Sequence, residues 1–284
     1  METLYKLSGA GNDFIVLDGR SGGVDEYRKE VTIRTLCDRN TGFKAADGRV
    51  GADGVMILSS SDDGAWDFVM EYFNSDGSSG MMCGNGGRCI VAFADFMGIV
   101  PANGKFYEFL AADGPHTGEI LGRDGHSCTV KLKMKDVSEY RRCTDGWFLD
   151  TGTRHFVKFV EDVEAVDIAT EGPRYRWSEE FAPIGANVNF VQVLPDGSLK
   201  VRTFEKGVED ETLACGTGIT ASALAAQLEA WHKDAGTDTP ASSGTTAKSI
   251  HTAVHARIDE LAVDFTPSGS IFTDVFLTGP AALI

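Results

Sequence analysis

Residues 81–89, MMCGNGGRC, set Cys83 among three glycines, an asparagine and an arginine, directly ahead of the apolar run IVAFADFMG at 90–98. A helix apolar on nearly every side is a buried helix, and Gly98 stands where a glycine closes one. The same text returns at 213–225 as LACGTGITASALA, with Cys215 followed by Gly-x-Gly and a run of small and apolar side chains. Each cysteine lies roughly ten residues past an aromatic strand end, Phe73 or Phe204, and GNDFIV (11–16) is echoed by TRHFVK (153–158). A repeat of about half the chain marks a duplicated domain rather than a solenoid. The expected fold is therefore α/β (α+β), two homologous domains in a pseudo-twofold pair with Cys83 and Cys215 at equivalent positions. The first domain spans 1–138 and the second 139–284, with the last strands free to cross back to the first. A length of 284 residues suits two compact domains.

Other segments fill in the plan. DFIVLDG (13–19) and WDFVMEYFNSDGS (66–78) carry β-branched and aromatic residues ended by turn chemistry, so they read as strands. Between them, DEYRKEVTIRTLCDRNTG predicts an amphipathic helix with Val31, Ile33, Leu36 and Cys37 on its apolar side. Strand-like alternation resumes in KFYEFLAADG, SCTVKLKMKDV and WFLDTGTRHFVKFVED. Residues 187–207 predict two strands joined at Pro195-Asp196-Gly197. The Gly-, Ser- and Thr-rich tract at 233–249 reads as a mobile loop.

Composition narrows the class of function. Apolar residues at 42% and charged residues at 24% are ordinary for a soluble globular chain, with no apolar stretch long enough to span a membrane. The start lacks a basic region followed by an apolar one, so the expected location is cytoplasmic. A formal charge of −16 without Lys/Arg clusters argues against nucleic acid and anionic membrane as partners. A small-molecule substrate is expected, and a homodimer stays open. The cysteines at 37, 83, 89, 128, 143 and 215 form no CxxC pair and no zinc spacing, so no metal is expected. Buried thiols without chemistry are the expectation for Cys37, Cys89, Cys128 and Cys143.

For Cys83 and Cys215 the glycines point elsewhere. The unpaired N–H groups at a helix start favour negative charge, which lowers a thiol's pKa there and also binds a carboxylate. Two such mouths give a thiol on either side of one carboxylate. That suits removal of a proton from the carbon beside the carboxylate on one face and its return on the other, with one cysteine as thiolate and its partner as thiol. The enediolate would be stabilised by the two sets of N–H groups. No cofactor is required.

Taken together, GAGNDF, FNSDGS, CGNGGRC, ANVNFVQV and FEKGVEDETLACGTG occur in order over nearly the whole chain and resemble the diaminopimelate epimerase family. The resemblance implies two domains, each a sheet curled around a central helix, and an active site in the cleft between them. It implies a pyridoxal- and metal-independent interconversion of L,L- and meso-diaminopimelate, in lysine and peptidoglycan precursor biosynthesis. By position, Cys83 and Cys215 match the acid/base pair. Gly84 with Asn85 and Gly216 with Thr217 match the groups that hold the reacting carboxylate. Asn12, Asn74 and Asn187 match side chains that grip the substrate. His155 and Glu205 match groups that hold the ammonium end and support catalysis.

The chain also departs from the family's pattern. Lys206 stands where many members have an arginine, a point charge in place of a bidentate fork. Thr153-Arg154-His155 replaces a motif with a central proline; Thr153 counts among the binding residues, and Arg154 is expected to replace the lost guanidinium in part at the substrate's far carboxylate. Gly54 stands where some members place a glutamine. Two rival readings remain: a proline or hydroxyproline racemase of the same fold, and a thiol redox or binding protein with a Cys83–Cys215 switch. His251 and His255 stand four apart in SIHTAVHARIDELAVDF, but alternation with Ile250, Val254 and Ile258 on one face reads as one strand, which separates them too far for a metal pair. GAGNDF lacks the third glycine of a dinucleotide fingerprint.

Overall fold

The computed structural model describes residues 2–235 and 248–284, so most of the Gly/Ser/Thr-rich tract at 233–249 lies outside the described residues. The chain divides into two units, Met1–Leu132 with Gly279–Ile284, and Lys133–Thr278. In the first unit the elements are β1 (Tyr5–Gly9), β2 (Asn12–Asp18), α1 (Glu30–Cys37), β3 (Gly54–Ser59), β4 (Phe68–Asn74), α2 (Gly84–Phe96), β5 (Tyr107–Ala111), β6 (Gly114–Asp124) and β7 (Ser127–Lys133). The second unit has β8 (Tyr140–Cys143), β9 (Gly146–Asp150), β10 (Arg154–Phe159), α3 (Ile168–Arg176), β11 (Asn187–Val193), β12 (Leu199–Glu205), β13 (Asp210–Thr212), α4 (Gly216–Ala235), β14 (Ile250–His255), β15 (Glu260–Ser268) and β16 (Ile271–Leu283). The end of β16 returns to the first unit, where it pairs with β7 and β1.

The duplication is visible in the pairing. From β1 to β7 successive strands pair antiparallel, parallel, antiparallel, parallel, antiparallel and antiparallel. The series β9, β10, β11, β12, β14, β15, β16 repeats that order of directions. The second parallel crossover of each series contains the buried helix, α2 or α4.

Each sheet is covered twice. In the first unit, Phe14, Val16, Met56 and Leu58 face α2, while Ile15, Leu17, Val55 and Ile57 pack with Ile33 and Cys37 of α1. Strands β2 and β3 are therefore buried on both faces and read as continuous apolar runs, which explains why GVMILS shows no period-2 signal. In the second unit Phe156, Val188, Phe190 and Phe204 pack on the α3 side with Ile168, Tyr175 and Phe181. Residues 84–94 of α2 are buried without exception, as expected of a helix enclosed by strands.

Three expectations need correction. The helix expected across the segment after β2 is a 3-10 turn, Asp25–Arg28, followed by the eight-residue α1. Val31 is 77% exposed, because only Ile33 and Cys37, four apart, share the inward stripe. The region around His251 and His255 is a hairpin, β14 and β15, rather than one strand, and Ile258 sits exposed in its turn. Both histidines do lie on one strand, each beside a carboxylate: His251 is 2.8 Å from Asp264 and His255 3.1 Å from Glu260. Helix α3 was missed because ATEGPRYR holds a glycine and a proline; its start is fixed instead by Asp167, which accepts from the Thr170 N–H.

At the end of α2, Gly98 adopts φ +74° and the Ile99 N–H reaches back to the Ala94 carbonyl at 3.0 Å, a left-handed cap. No atom lies within 4 Å of where its Cβ would be. Gly98→Ala should therefore cost about 1 kcal/mol in urea unfolding for backbone reasons alone. Gly122→Ala, equally open but without positive φ, should be neutral. Equal effects would contradict the capping role.

Candidate active site

In the first unit the β1–β2 turn is only two residues long, with Ala10 at φ +50° and Gly11 at φ +97°, and it delivers Asn12 as the first residue of β2. The Asn12 amide donates to Asp53 at 3.0 Å and its oxygen accepts from the Asn85 amide at 2.7 Å. The Asn85 oxygen in turn accepts from Arg88 at 2.9 Å, and Arg88 also donates to the Gly84 carbonyl at 3.1 Å. A carboxylate only accepts and a guanidinium only donates, so Asp53 at one end and Arg88 at the other fix which way both amides point. Asn12 keeps one N–H to offer. Asp53 is itself held by Arg39 at 2.5 Å, which pairs with Asp13 at 2.7 Å; Asp13 lies 2.6 Å from the fully buried Lys6.

Cys83 is the N-cap of α2. Its carbonyl accepts from the Gly87 N–H at 2.8 Å and its sulfur from the Gly86 N–H at 3.3 Å. Gly84 is the first helical residue, and Asn74 closes β4 with its amide donating to Ser78 at 3.0 Å. A thiol in this position occupies the place of a capping oxygen and faces donors that favour negative charge.

The second unit repeats the arrangement. The Cys215 carbonyl accepts from the Ile219 N–H at 2.8 Å, so Cys215 occupies the same place ahead of Gly216. Its sulfur lies 3.4 Å from the Thr217 hydroxyl, which is 2.9 Å from His155 Nε2. His155 Nε2 is also 2.9 Å from the Thr153 hydroxyl, and Nδ1 is 3.0 Å from the Asn189 amide. Asn189 is oriented by Thr203, whose hydroxyl donates to its oxygen at 3.0 Å, so its nitrogen faces the imidazole. Nδ1 therefore accepts and Nε2 carries the proton, giving a directional chain from Asn189 through His155 and Thr217 to the Cys215 sulfur. A Cβ on Gly218 would collide with Asn189, so that glycine allows α4 to lie against the chain.

His155 is fully buried, and burial pushes its pKa down to about 3. Burial favours the neutral imidazole, whose Nε2 reaches the hydroxyls of Thr217 and Thr153. Glu205 ends β12 and accepts from Thr212 at 2.8 Å. Asn187 is a brace: its amide donates to the Arg154 carbonyl at 3.0 Å and its oxygen accepts from the Lys206 N–H at 2.8 Å, while the Lys206 side chain is exposed.

Arg154, expected at the substrate's far carboxylate, lies away from the other site residues in this structure. Successive residues of a strand point to opposite faces, so with His155 toward α4 the guanidinium of Arg154 goes to the α3 side. There it stacks over Phe148 at 5.2 Å and donates to the Phe181 carbonyl at 3.4 Å. Gly54 contributes no side chain to the site.

Sequence reasoning missed Asp53, Arg88, Asn189 and Gly218. Arg88 was visible as the one charge near the start of an apolar helix, and Asn189 as a second amide two residues after Asn187, hence on the same strand face. The remaining cysteines form no disulfide among the described residues. Burial pushes Cys37 up to about 11 and Cys89 and Cys143 up to about 12, and raises Cys128 as well.

Comparison with known proteins bears on this site. The family model described as diaminopimelate epimerase matches residues 4–131 and 147–265. A diaminopimelate epimerase of Flavobacterium psychrophilum is 38% identical over 99% of this chain and 97% of its own length. One from Chlorobaculum tepidum is 44% identical over 77% of this chain and 80% of its own. Among solved structures, a phenazine biosynthesis protein of the PhzF family from Bacillus anthracis shares the fold with a TM-score of 0.66 at 11% identity, covering 99% of this chain and 96% of that one.

The placement of the thiols and the burial of His155 each give a prediction. Alkylation of the native protein at pH 8 should modify Cys83 and Cys215 and spare Cys37, Cys89 and Cys143; peptide mapping that finds the five equally labelled would contradict the assignment. The folded state refuses a proton on His155 until about pH 3, whereas the unfolded chain accepts one near 6.5. Stability should therefore fall as pH drops from about 6.5 toward 3, and His155→Gln should flatten that slope by up to about 1.4 kcal/mol per pH unit. An unchanged slope in pH-dependent melts would show that His155 is not held neutral.

Proposed function

The chain belongs to the diaminopimelate epimerase family, and from that premise we propose that it interconverts L,L- and meso-diaminopimelate with Cys83 and Cys215 as its two acid/base groups. The observation that carries the proposal is the recurrence of one device: a cysteine capping a buried helix, followed by glycine, after the same series of strands.

The reaction needs no change in total charge. The thiolate of one cysteine takes the α-proton and becomes a thiol, and the C–H electron pair passes into the carboxylate as an enediolate. The other thiol then gives its proton to the opposite face of the carbon and is left as a thiolate. The backbone N–H groups at Gly84 and Asn85 and at Gly216 and Thr217 would stabilise the enediolate, a preorganised electrostatic contribution that needs no rearrangement as charge develops. The Thr217 hydroxyl, held by His155, is a hydrogen-bond partner for sulfur when Cys215 carries the negative charge. Glu205 and Asn74 are the proposed holders of the substrate's polar groups, and Asn12 offers the N–H its amide network leaves over. The steps use only side chains and backbone of this chain.

The reading places the protein in lysine and peptidoglycan precursor biosynthesis, acting on a soluble amino acid in the cytoplasm, where free thiols persist. No helix among the described residues is long and apolar enough to cross a membrane.

Incubation of the reduced protein with L,L-diaminopimelate, followed by chiral chromatography, should yield the meso isomer. Cys83→Ala and Cys215→Ala should each lower kcat by about 10³-fold or more. Inversion of proline or hydroxyproline in place of diaminopimelate would move the substrate assignment, and full activity in either variant would remove the two-thiol mechanism.

A further inference from the structure

Tyr72 lies on β4 two residues before Asn74, so both side chains leave the sheet on the face that packs against α2. Its ring occupies a slot built from two missing side chains. A Cβ on Gly54 would stand 2.5 Å from ring atom Cε2 and 3.1 Å from the hydroxyl, and one on Gly80 would collide with Cδ1 and Cε1. Phe14 closes the slot edge-on at 5.9 Å between ring centroids. The ring is thus fixed, with its hydroxyl over Gly54, the residue that pairs with Asn74 across β3 and β4.

Among the described residues the hydroxyl of this half-buried tyrosine has no hydrogen-bond partner, which leaves it open to a ligand. Burial raises the phenol's pKa, and negative charge at Cys83 and Asp53 acts in the same direction, so the group is a donor throughout the working range of pH. It joins two other strand-borne donors of this unit, the remaining N–H of Asn12 and that of Asn74. None of the three belongs to the helix start that serves the reacting carboxylate, and a dicarboxylic substrate brings a second anionic group that needs donors of its own.

We propose that Tyr72 is a specificity-determining substrate contact, its hydroxyl donating to the carboxylate at the non-reacting end of bound diaminopimelate. The inference rests on the epimerase reading above. Gly54 is then the residue that admits the tyrosine, and a contact that a longer side chain at position 54 could have made is supplied from the neighbouring strand.

The test is Tyr72→Phe, which keeps the ring in its slot and removes only the hydroxyl, so its melting temperature should match that of the parent protein. KM for L,L-diaminopimelate should rise roughly 10- to 100-fold with kcat little changed, as for loss of a hydrogen bond to a charged group. The inhibition constant of L-2-aminopimelate, which keeps both carboxylates and lacks the far amine, should rise by the same factor. Unchanged KM would overturn the proposal, as would a fall in kcat alone, which would put the hydroxyl at the reacting carbon. Loss of affinity for diaminopimelate but not for 2-aminopimelate would also overturn it, by assigning the contact to the ammonium. Absence of turnover in the parent protein would instead reject the epimerase reading itself.

Discussion

A helix enclosed by its own sheet can present only its ends to anything polar. Residues 84–94 of α2 are buried throughout, and α4 is buried along most of its first three turns. The unpaired N–H groups at the start of each helix must find acceptors, and the chain supplies sulfur at the capping position rather than the usual side-chain oxygen. The glycines that follow leave those N–H groups approachable. Much else in each unit, from the two-residue turn at Ala10 and Gly11 to the close packing of Gly218 on Asn189, serves to keep that helix mouth in place.

The two mouths are supported by different side chains to similar effect. Around Cys83, a buried arginine and a carboxylate fix the polarity of two amides in series; around Cys215, an amide and a neutral imidazole fix the polarity of a threonine hydroxyl. In both, donors and acceptors have defined directions before a ligand arrives, the condition under which electrostatic stabilisation costs no reorganisation. The thiols differ in their surroundings: burial raises the pKa of Cys37, Cys89 and Cys143, whereas Cys83 and the equally buried Cys215 stand at helix starts. The same division separates structural from proposed reactive sulfur without any difference in residue type.

The repeated Cys-Gly-x-Gly before an apolar run made the duplication and the two buried helices legible, because a glycine-rich helix start has few other uses. The alternating strands were legible for the same reason of period. Strand β3 and helix α3 were not: the first is covered on both faces and so does not alternate, and the second is carried by tertiary packing and an aspartate cap against poor intrinsic propensity. At the site, residue types could be matched but their directions could not. Arg154 and His155 are neighbours in sequence and opposite in the sheet, and His155 is fully buried with its Nε2 against the Thr217 hydroxyl. Asp53 and Arg88 escaped notice because their role is to orient other side chains, which leaves no mark on spacing.

The central claim is that two different sulfur groups serve the two faces of one carbon. In D2O, each direction of the reaction should place deuterium in the newly formed isomer at once, while the recovered starting isomer stays unlabelled during the first turnovers. The proton removed stays on one sulfur and the one returned comes from the other, already exchanged with solvent. Early label in the starting isomer equal to that in the product, or product retaining its original proton, would mean that a single base serves both faces and would contradict the account.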